Sequence, residues 1–292
     1  MEHRQATGHL LAMLTILIWG TTFISTKVLL QSFSPVEILF TRFLLGLAAL
    51  FLACPRRLKG TTLRQEGTFA LAGLCGVCLY YLLENIALTY TSASNVGVIA
   101  SVAPFFTAVV AALFSRGQER LTLRFLLGFV VSILGIGLIS FNGAQLELNP
   151  FGDLLTLVAA LVWAFYGVFT KKIAGFGYST VLTTRRVFCY GLAFMVPALF
   201  LFDARFAPAR FADPVNLANL AYLGLGASAL CFVTWNYAVK VLGPVRTSVY
   251  IYAMPVLTVL PSVLILHEPV TPLSVAGTLL ALVGLVLSQR EK

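Results

Sequence analysis

Charged residues are scarce in this chain of 292 residues: 11% of the total, against about a quarter in a soluble domain. Acids are scarcer still, with 11 Asp and Glu beside 20 Lys and Arg. No Gly-x-Ser-x-Gly, no His-Glu-x-x-His and no phosphate loop occurs, so nucleophilic, metal-assisted and ATP-driven chemistry lack their usual parts. The three histidines (His3, His9, His267) lie at the N-terminus or in a short loop. Cysteines are few and odd in number; Cys75 and Cys78 have metal-pair spacing but no second pair beside them, so they are read as small apolar side chains. No cofactor and no metal is expected, and the chain is not expected to be an enzyme. The net charge of +9 sits in short loops between apolar runs rather than on one amphipathic face, which argues against nucleic acid as a partner.

What the chain has in abundance is hydrophobic residues, 59% of it. A helix needs roughly 20 apolar residues to span a bilayer. Runs of that length cover 8–30, 35–54, 67–90, 92–115, 122–141, 152–174, 178–202, 215–239, 244–266 and 270–289. Ten such spans leave only short loops. The expected class is an all-α integral membrane protein of ten transmembrane helices, with the lipid bilayer as its solvent. Ser34-Pro35, Asn142-Gly143, Asn149-Pro150, Gly243-Pro244 and Glu268-Pro269 mark breaks between runs. With a cytoplasmic N-terminus, fourteen of the 20 basic residues fall inside, among them Arg56, Arg57, Arg116, Arg120, Lys171, Lys172 and Lys292. Outside loops then carry only Arg205 and Arg210, alongside Glu37, Glu147, Asp153 and Glu268. The positive-inside rule therefore predicts a multi-pass protein of the bacterial cytoplasmic (inner) membrane with both termini cytoplasmic.

The two halves repeat one another. Shifting by 144 residues carries Trp19 onto Trp163, Thr26 onto Thr170, Lys27 onto Lys171 and Arg42 onto Arg186. A shift of 151 carries Asn85 onto Asn236 and Pro104 onto Pro255, and one of 149 carries Glu119 onto Glu268 and Gly135 onto Gly284. The offset changes only where loops differ in length. Residues 1–145 and 146–292 are thus expected to be two five-helix copies. Five is odd, so the second copy should be inverted relative to the first, a plan that recurs in secondary transporters with a midplane site.

Trp19-Gly20-Thr21-Thr22-Phe23 followed by Lys27, the run from Ala87 to Pro104, and Glu119-Arg120-Leu121-Thr122 resemble the signatures of the EamA-type carriers of the drug/metabolite transporter superfamily. The resemblance covers nearly the whole chain and recurs in both halves. Within that family the chain is similar to amino-acid exporters, including aromatic amino-acid exporters of the YddG type. The resemblance implies export of small metabolites, and the second copy departs from it where Ala164, Phe165 and Tyr166 replace Gly20, Thr21 and Thr22.

Polar and ring-bearing residues fall on stripes. Trp19, Thr22, Phe23 and Thr26 share one face of the first helix, and Trp163, Tyr166, Gly167 and Thr170 the matching face of the sixth. Such stripes face either a cavity or a helix–helix contact. Tyr81, Glu84 and Asn85 lie on the third helix, Trp235 and Asn236 at the corresponding place on the eighth, and Tyr250 near the ninth helix's start. Glu84 is the one acid placed well inside a span; it either serves a substrate ammonium or a proton, or pairs with Arg42. Arg42 and Arg186 suit a substrate carboxylate, and Arg186 alternatively snorkels to the boundary. Pro104 and Pro255 sit mid-helix and free the carbonyls of Ala100 and Ile251, for a ligand or as hinges; Arg42 joins them as a gating candidate. Glycines spaced by seven on the fifth and tenth helices (Gly128, Gly135; Gly277, Gly284) predict packing faces, within the chain or in a homodimer. The reading is a secondary transporter that moves a small-molecule substrate, an amino acid or similar metabolite, by alternating access. The alternatives are an integral-membrane enzyme or a scaffold.

Overall fold

The computed structural model describes residues 2–114, 123–140 and 150–289. The Glu119-Arg120-Leu121-Thr122 segment, Arg116, Asn142-Gly143, Glu147, Asn149, Lys292 and the 145/146 boundary lie outside those residues. The described residues are helical with no strand, the only way an open chain can satisfy its backbone in hydrocarbon. Eight helices are long and apolar enough to cross a membrane: α1 (His3–Leu29), α2 (Pro35–Ala53), α3 (Leu63–Tyr90), α4 (Ala93–Phe114), α6 (Pro150–Ala174), α7 (Thr180–Leu201), α8 (Pro214–Leu242) and α9 (Pro244–Leu266). Two further apolar helices, α5 (Leu123–Ser140) and α10 (Pro272–Gln289), have shorter apolar stretches. A short helix, Pro208–Ala212, joins α7 to α8.

Sequence chemistry sets the helix starts. Ser34 and Glu37 form a capping box in which the Glu37 carboxylate accepts from the Ser34 N–H at 2.9 Å, with Pro35 as the first helical residue. Thr62 and Gln65 repeat the device at the head of α3. Polarity is arranged inside out. Leu52 and Phe200 are more than 80% exposed, whereas Arg42, Glu84 and Asn85 are at most 2% exposed. A soluble protein of this size would bury the first pair and hydrate the second.

Several helices are interrupted, and the interruptions correspond. α3 contains a π-helical stretch at Leu74–Leu79, and α8 one at Tyr222–Leu230. The 151-residue shift that aligns Asn85 with Asn236 carries the first stretch onto the end of the second. α4 breaks at Ser101-Val102, just before Pro104, and α9, after an opening α-helical turn at Pro244–Ser248, passes through a 3-10 stretch, Val249–Ala253, just before Pro255. Proline's missing donor and its restriction on the preceding residue account for both. One expectation needs correction here: the Ile251 carbonyl is not free, because the 3-10 winding gives it the N–H of Met254.

The glycine faces on α5 and α10 meet each other. A Cβ on Gly135 would lie 2.4 Å from the Ala281 nitrogen, and one on Gly284 2.5 Å from the Gly128 carbonyl. Ser132 donates to the Ala281 carbonyl at 3.0 Å across the same contact. These faces serve packing within the chain.

Candidate functional site

α1 is itself broken in two at Gly20-Thr21, ending one helical stretch at Trp19 and restarting at Thr22. The turn is held by side chains: the Thr22 hydroxyl donates to the Trp19 carbonyl at 2.7 Å, and Thr258 of α9 donates to the Gly20 carbonyl at 2.9 Å. Trp19 is thereby held at the break, and its indole N–H donates to the Ala227 carbonyl at 2.9 Å. Ala227 lies in the π-helical stretch of α8. A π-bulge loosens the helical hydrogen-bond pattern, and here a tryptophan from α1 occupies the carbonyl.

All three tryptophans of the chain converge at this point. Trp19 stands 5.3 Å from Trp163 edge to face and 5.2 Å from Trp235, centroid to centroid. Tyr80 and Tyr166 each lie 4.9 Å from Trp163, and Phe232 lies 5.8 Å from Trp19. These separations suit tilted and edge-on ring pairs. The rings border a cavity of about 30 Å³, room for about two waters. Trp19, Thr22, Tyr80, Tyr81, Glu84 and Trp163 line it, with Ala100 and Ile251 supplying the kinked turns of α4 and α9.

Beside the cavity the buried polar groups are incompletely matched. Arg42 on α2 donates from Nε to the Ser228 hydroxyl at 3.0 Å, and its guanidinium carbon lies 4.5 Å over the Tyr81 ring. Both terminal nitrogens of that guanidinium are buried with no hydrogen-bond partner. Glu84 has the Tyr80 hydroxyl as a hydrogen-bonding neighbour, yet its Oε1 is also without a partner. Asn85 donates to the Pro35 carbonyl at 3.0 Å and leaves its Oδ1 unmatched. No ion pair joins Arg42 to Glu84 among the described residues, so the internal salt bridge open on sequence grounds is not formed. Buried polar atoms in native proteins are overwhelmingly paired, so unmatched atoms on Glu84 in the cavity wall and on Arg42 and Asn85 nearby are unusual.

The equivalent groups of the second half are matched. The Tyr166 hydroxyl donates to the Asn236 side-chain oxygen at 2.7 Å, and Asn236 donates onward to the Thr184 hydroxyl at 3.0 Å. Tyr166 seats its ring on Gly76, where a Cβ would lie 2.2 Å from it. Tyr166 and Asn236 also line a separate crevice of about 20 Å³ that extends to Lys240. They form the wall between that crevice and the ring cluster.

Two expected site residues stand apart. Arg186 is engaged by Glu66, donating to it from Nε at 2.9 Å and from Nη2 at 2.8 Å, with the Tyr190 hydroxyl also on Glu66 at 2.6 Å. Tyr250 is hydrogen-bonded to His9 at 2.7 Å. Pro104 and Pro255 follow Ala103 and Met254 of the cavity wall directly. Sequence reasoning did not place Tyr80 or Ser228 at the site. The spacing of Tyr80 four residues before Glu84 was the available signal for the first; Ser228 gave none.

A sequence model described as the EamA-like transporter family matches residues 6–141 and again 150–289. An uncharacterized transporter of Archaeoglobus fulgidus is 28% identical over 288 residues, covering 97% of this chain and 98% of that protein. A Streptantibioticus cattleyicolor protein named as a probable terminal-alkyne amino-acid exporter is 28% identical over 283 residues, covering 95% of this chain and 92% of its own. A solved crystal structure of 21% sequence identity superposes with a TM-score of 0.70 over 98% of both chains, a likeness of fold.

Proposed function

Because the chain belongs to the EamA-like transporter family, we propose that it is a secondary carrier that exports amino acids or closely similar metabolites by alternating access. The observation that carries this reading is the set of unmatched buried groups around the ring-lined cavity. A zwitterionic amino acid has a carboxylate for the free nitrogens of Arg42, where the planar fork suits two parallel hydrogen bonds. Its ammonium suits Glu84 and the free oxygen of Asn85. Its side chain meets Trp19, Trp163 and Tyr81, which favours apolar and aromatic side chains. The relative named as a probable amino-acid exporter agrees with that chemistry.

The same proposal includes two five-helix copies in inverted arrangement, supported by the double family match and by the corresponding interruptions of α3 with α8 and of α4 with α9. The membrane is a bacterial inner membrane with both termini cytoplasmic, as the loop charges argue. The cavity in its present shape is too small for an amino acid, so loading requires the helices around it to part. Pro104 and Pro255 are the hinges, since their helices are already unwound there. Tyr166, Asn236 and Thr184 form the closure on the Lys240 side, and Arg42 with Ser228 ties α2 to the π-helical stretch of α8.

Purified protein in liposomes, loaded with labelled amino acids and compared with and without a pH gradient, tests the function. Net flux of at least one amino acid, lost in Glu84→Gln with the protein still folded, is the expected result. Flux of none removes the proposal, and flux indifferent to the gradient removes a proton role for Glu84.

A further inference from the structure

A much larger recess lies away from the ring cluster. A groove of about 1220 Å³ opens between α9 and α10, with the first half of α4 as its floor. Its walls are apolar: Val98 and Pro255 at the bottom, Leu260 of α9 and Leu279 of α10 at the rims, the last two about 60% exposed. Its mouth is of the opposite character. Lys27, Ser94, Asn95, Glu268, Thr271 and Ser274 gather there, where α1 and α3 end and α4 begins.

The two charges at the mouth lie near enough to interact, and each is held by hydrogen bonds rather than by an ion pair. Lys27 donates to the Leu88 and Thr91 carbonyls at 2.6 and 2.8 Å, which commits two of an ammonium's three donors. Glu268 accepts from the Ala93 N–H at 2.8 Å and from the Ser94 N–H and hydroxyl at 3.1 and 2.6 Å, at the head of α4. Among the described residues neither forms an ion pair. A fixed cation and a fixed anion at the open end of an apolar slot complement an amphiphile that carries both charges at one end of a hydrocarbon chain.

We propose that this groove is a binding site for a zwitterionic, ammonium-bearing phospholipid, with an acyl chain between α9 and α10, the phosphate at Lys27 and the primary ammonium at Glu268. The slot's apolar depth selects for an acyl chain, and its charged mouth selects the headgroup. The lipid's acyl chain then lies against Pro255, one residue from the cavity wall at Met254, which couples occupancy of the groove to the 3-10 stretch of α9.

The test is native mass spectrometry of the full purified chain, released from micelles supplied with equal amounts of phosphatidylethanolamine, phosphatidylcholine and phosphatidylglycerol. One phosphatidylethanolamine should be retained per chain, several-fold over either competitor. The quaternary ammonium of phosphatidylcholine has no N–H to give Glu268, and phosphatidylglycerol has no cation. Glu268→Gln should erase that preference. Leu279→Trp, at an exposed rim and so compatible with folding, should fill the slot and abolish retention of all three. Equal retention of the three lipids by the parent chain overturns the proposal. So does retention undiminished by Leu279→Trp, or a groove occupied instead by a second copy of the chain, seen as a dimer mass free of lipid.

Discussion

The hydroxyl of Tyr166 donates to the side-chain oxygen of Asn236 at 2.7 Å, while Asn85, the residue that corresponds to Asn236 in the first half, keeps its side-chain oxygen unmatched. The difference follows from one substitution in the repeat. Where the second half has Tyr166, the first has Thr22, whose short side chain reaches only the Trp19 carbonyl of its own helix. At this pair of positions polar capacity is consumed in the second half and left open in the first. That asymmetry supports the proposed binding on the Asn85 side and closure on the Asn236 side.

Tyr166→Phe should therefore destabilise the protein by about 1–3 kcal/mol, because it leaves a buried amide oxygen without its donor. Thermal unfolding in detergent measures it. Adding Asn236→Leu should restore part of the loss, since removing both partners costs less than removing one. An unchanged melting temperature in the single variant would show that the hydrogen bond contributes nothing to the closed wall.

Arg42→Met should separate folding from transport. A buried cation with no ion-pair partner among the described residues is an unfavourable element, so an apolar side chain of similar length should leave the melting temperature unchanged or raised. Flux of an amino acid should nevertheless fall at least tenfold, about 1.4 kcal/mol of lost interaction. Arg42→Lys should fail similarly, because it keeps the charge and loses the planar fork. Uptake in liposomes alongside melting curves decides it, and full flux in Arg42→Met would take the carboxylate away from this residue.

Substrate binding should be visible in the protein's own fluorescence. All three tryptophans, Trp19, Trp163 and Trp235, belong to one cluster at the cavity. Titration with a transported amino acid should shift or quench the emission with a saturable dependence, and Trp163→Phe should remove much of the change. A transported substrate that leaves the emission untouched would place its site elsewhere.

Gly135→Leu should loosen α10 from α5. Even a Cβ there would meet the Ala281 backbone at 2.4 Å, and backbone cannot turn aside as a side chain can. Overpacking of this kind typically costs about 1–3 kcal/mol. A cysteine pair introduced at Ser132 and Ala281 should cross-link in the parent background and poorly in the Gly135→Leu variant.

Much of the helical plan was legible because it follows from single residues and short spacings. Apolar runs marked the eight helices long enough to span and the two shorter apolar ones among the described residues, and Ser34-Pro35 and Gly243-Pro244 marked starts that the coordinates share. The breaks before Pro104 and Pro255 followed from the chemistry of proline. The π-helical stretches had no such signal, since Leu74–Leu79 and Tyr222–Leu230 read as ordinary apolar helix, and with them went the Trp19–Ala227 contact. Partners far apart in the chain were equally hidden. Arg186 suited a carboxylate on sequence grounds, and the carboxylate it holds is Glu66, 120 residues away. Tyr250 lay near the right depth, yet its partner is His9. Unmatched atoms on Arg42, Glu84 and Asn85 are a property of packing, visible only once every neighbour is in place.

The central claim is that Arg42 and the Glu84–Asn85 pair receive opposite ends of one zwitterion. Competition in liposomes tests it most directly, with a transported amino acid set against its methyl ester and its N-acetyl derivative. Each analogue keeps the side chain and removes one charge. The account predicts that the ester is rejected through Arg42 and the N-acetyl form through Glu84, so that neither competes at concentrations where the parent amino acid saturates. Equal competition by all three compounds would contradict it.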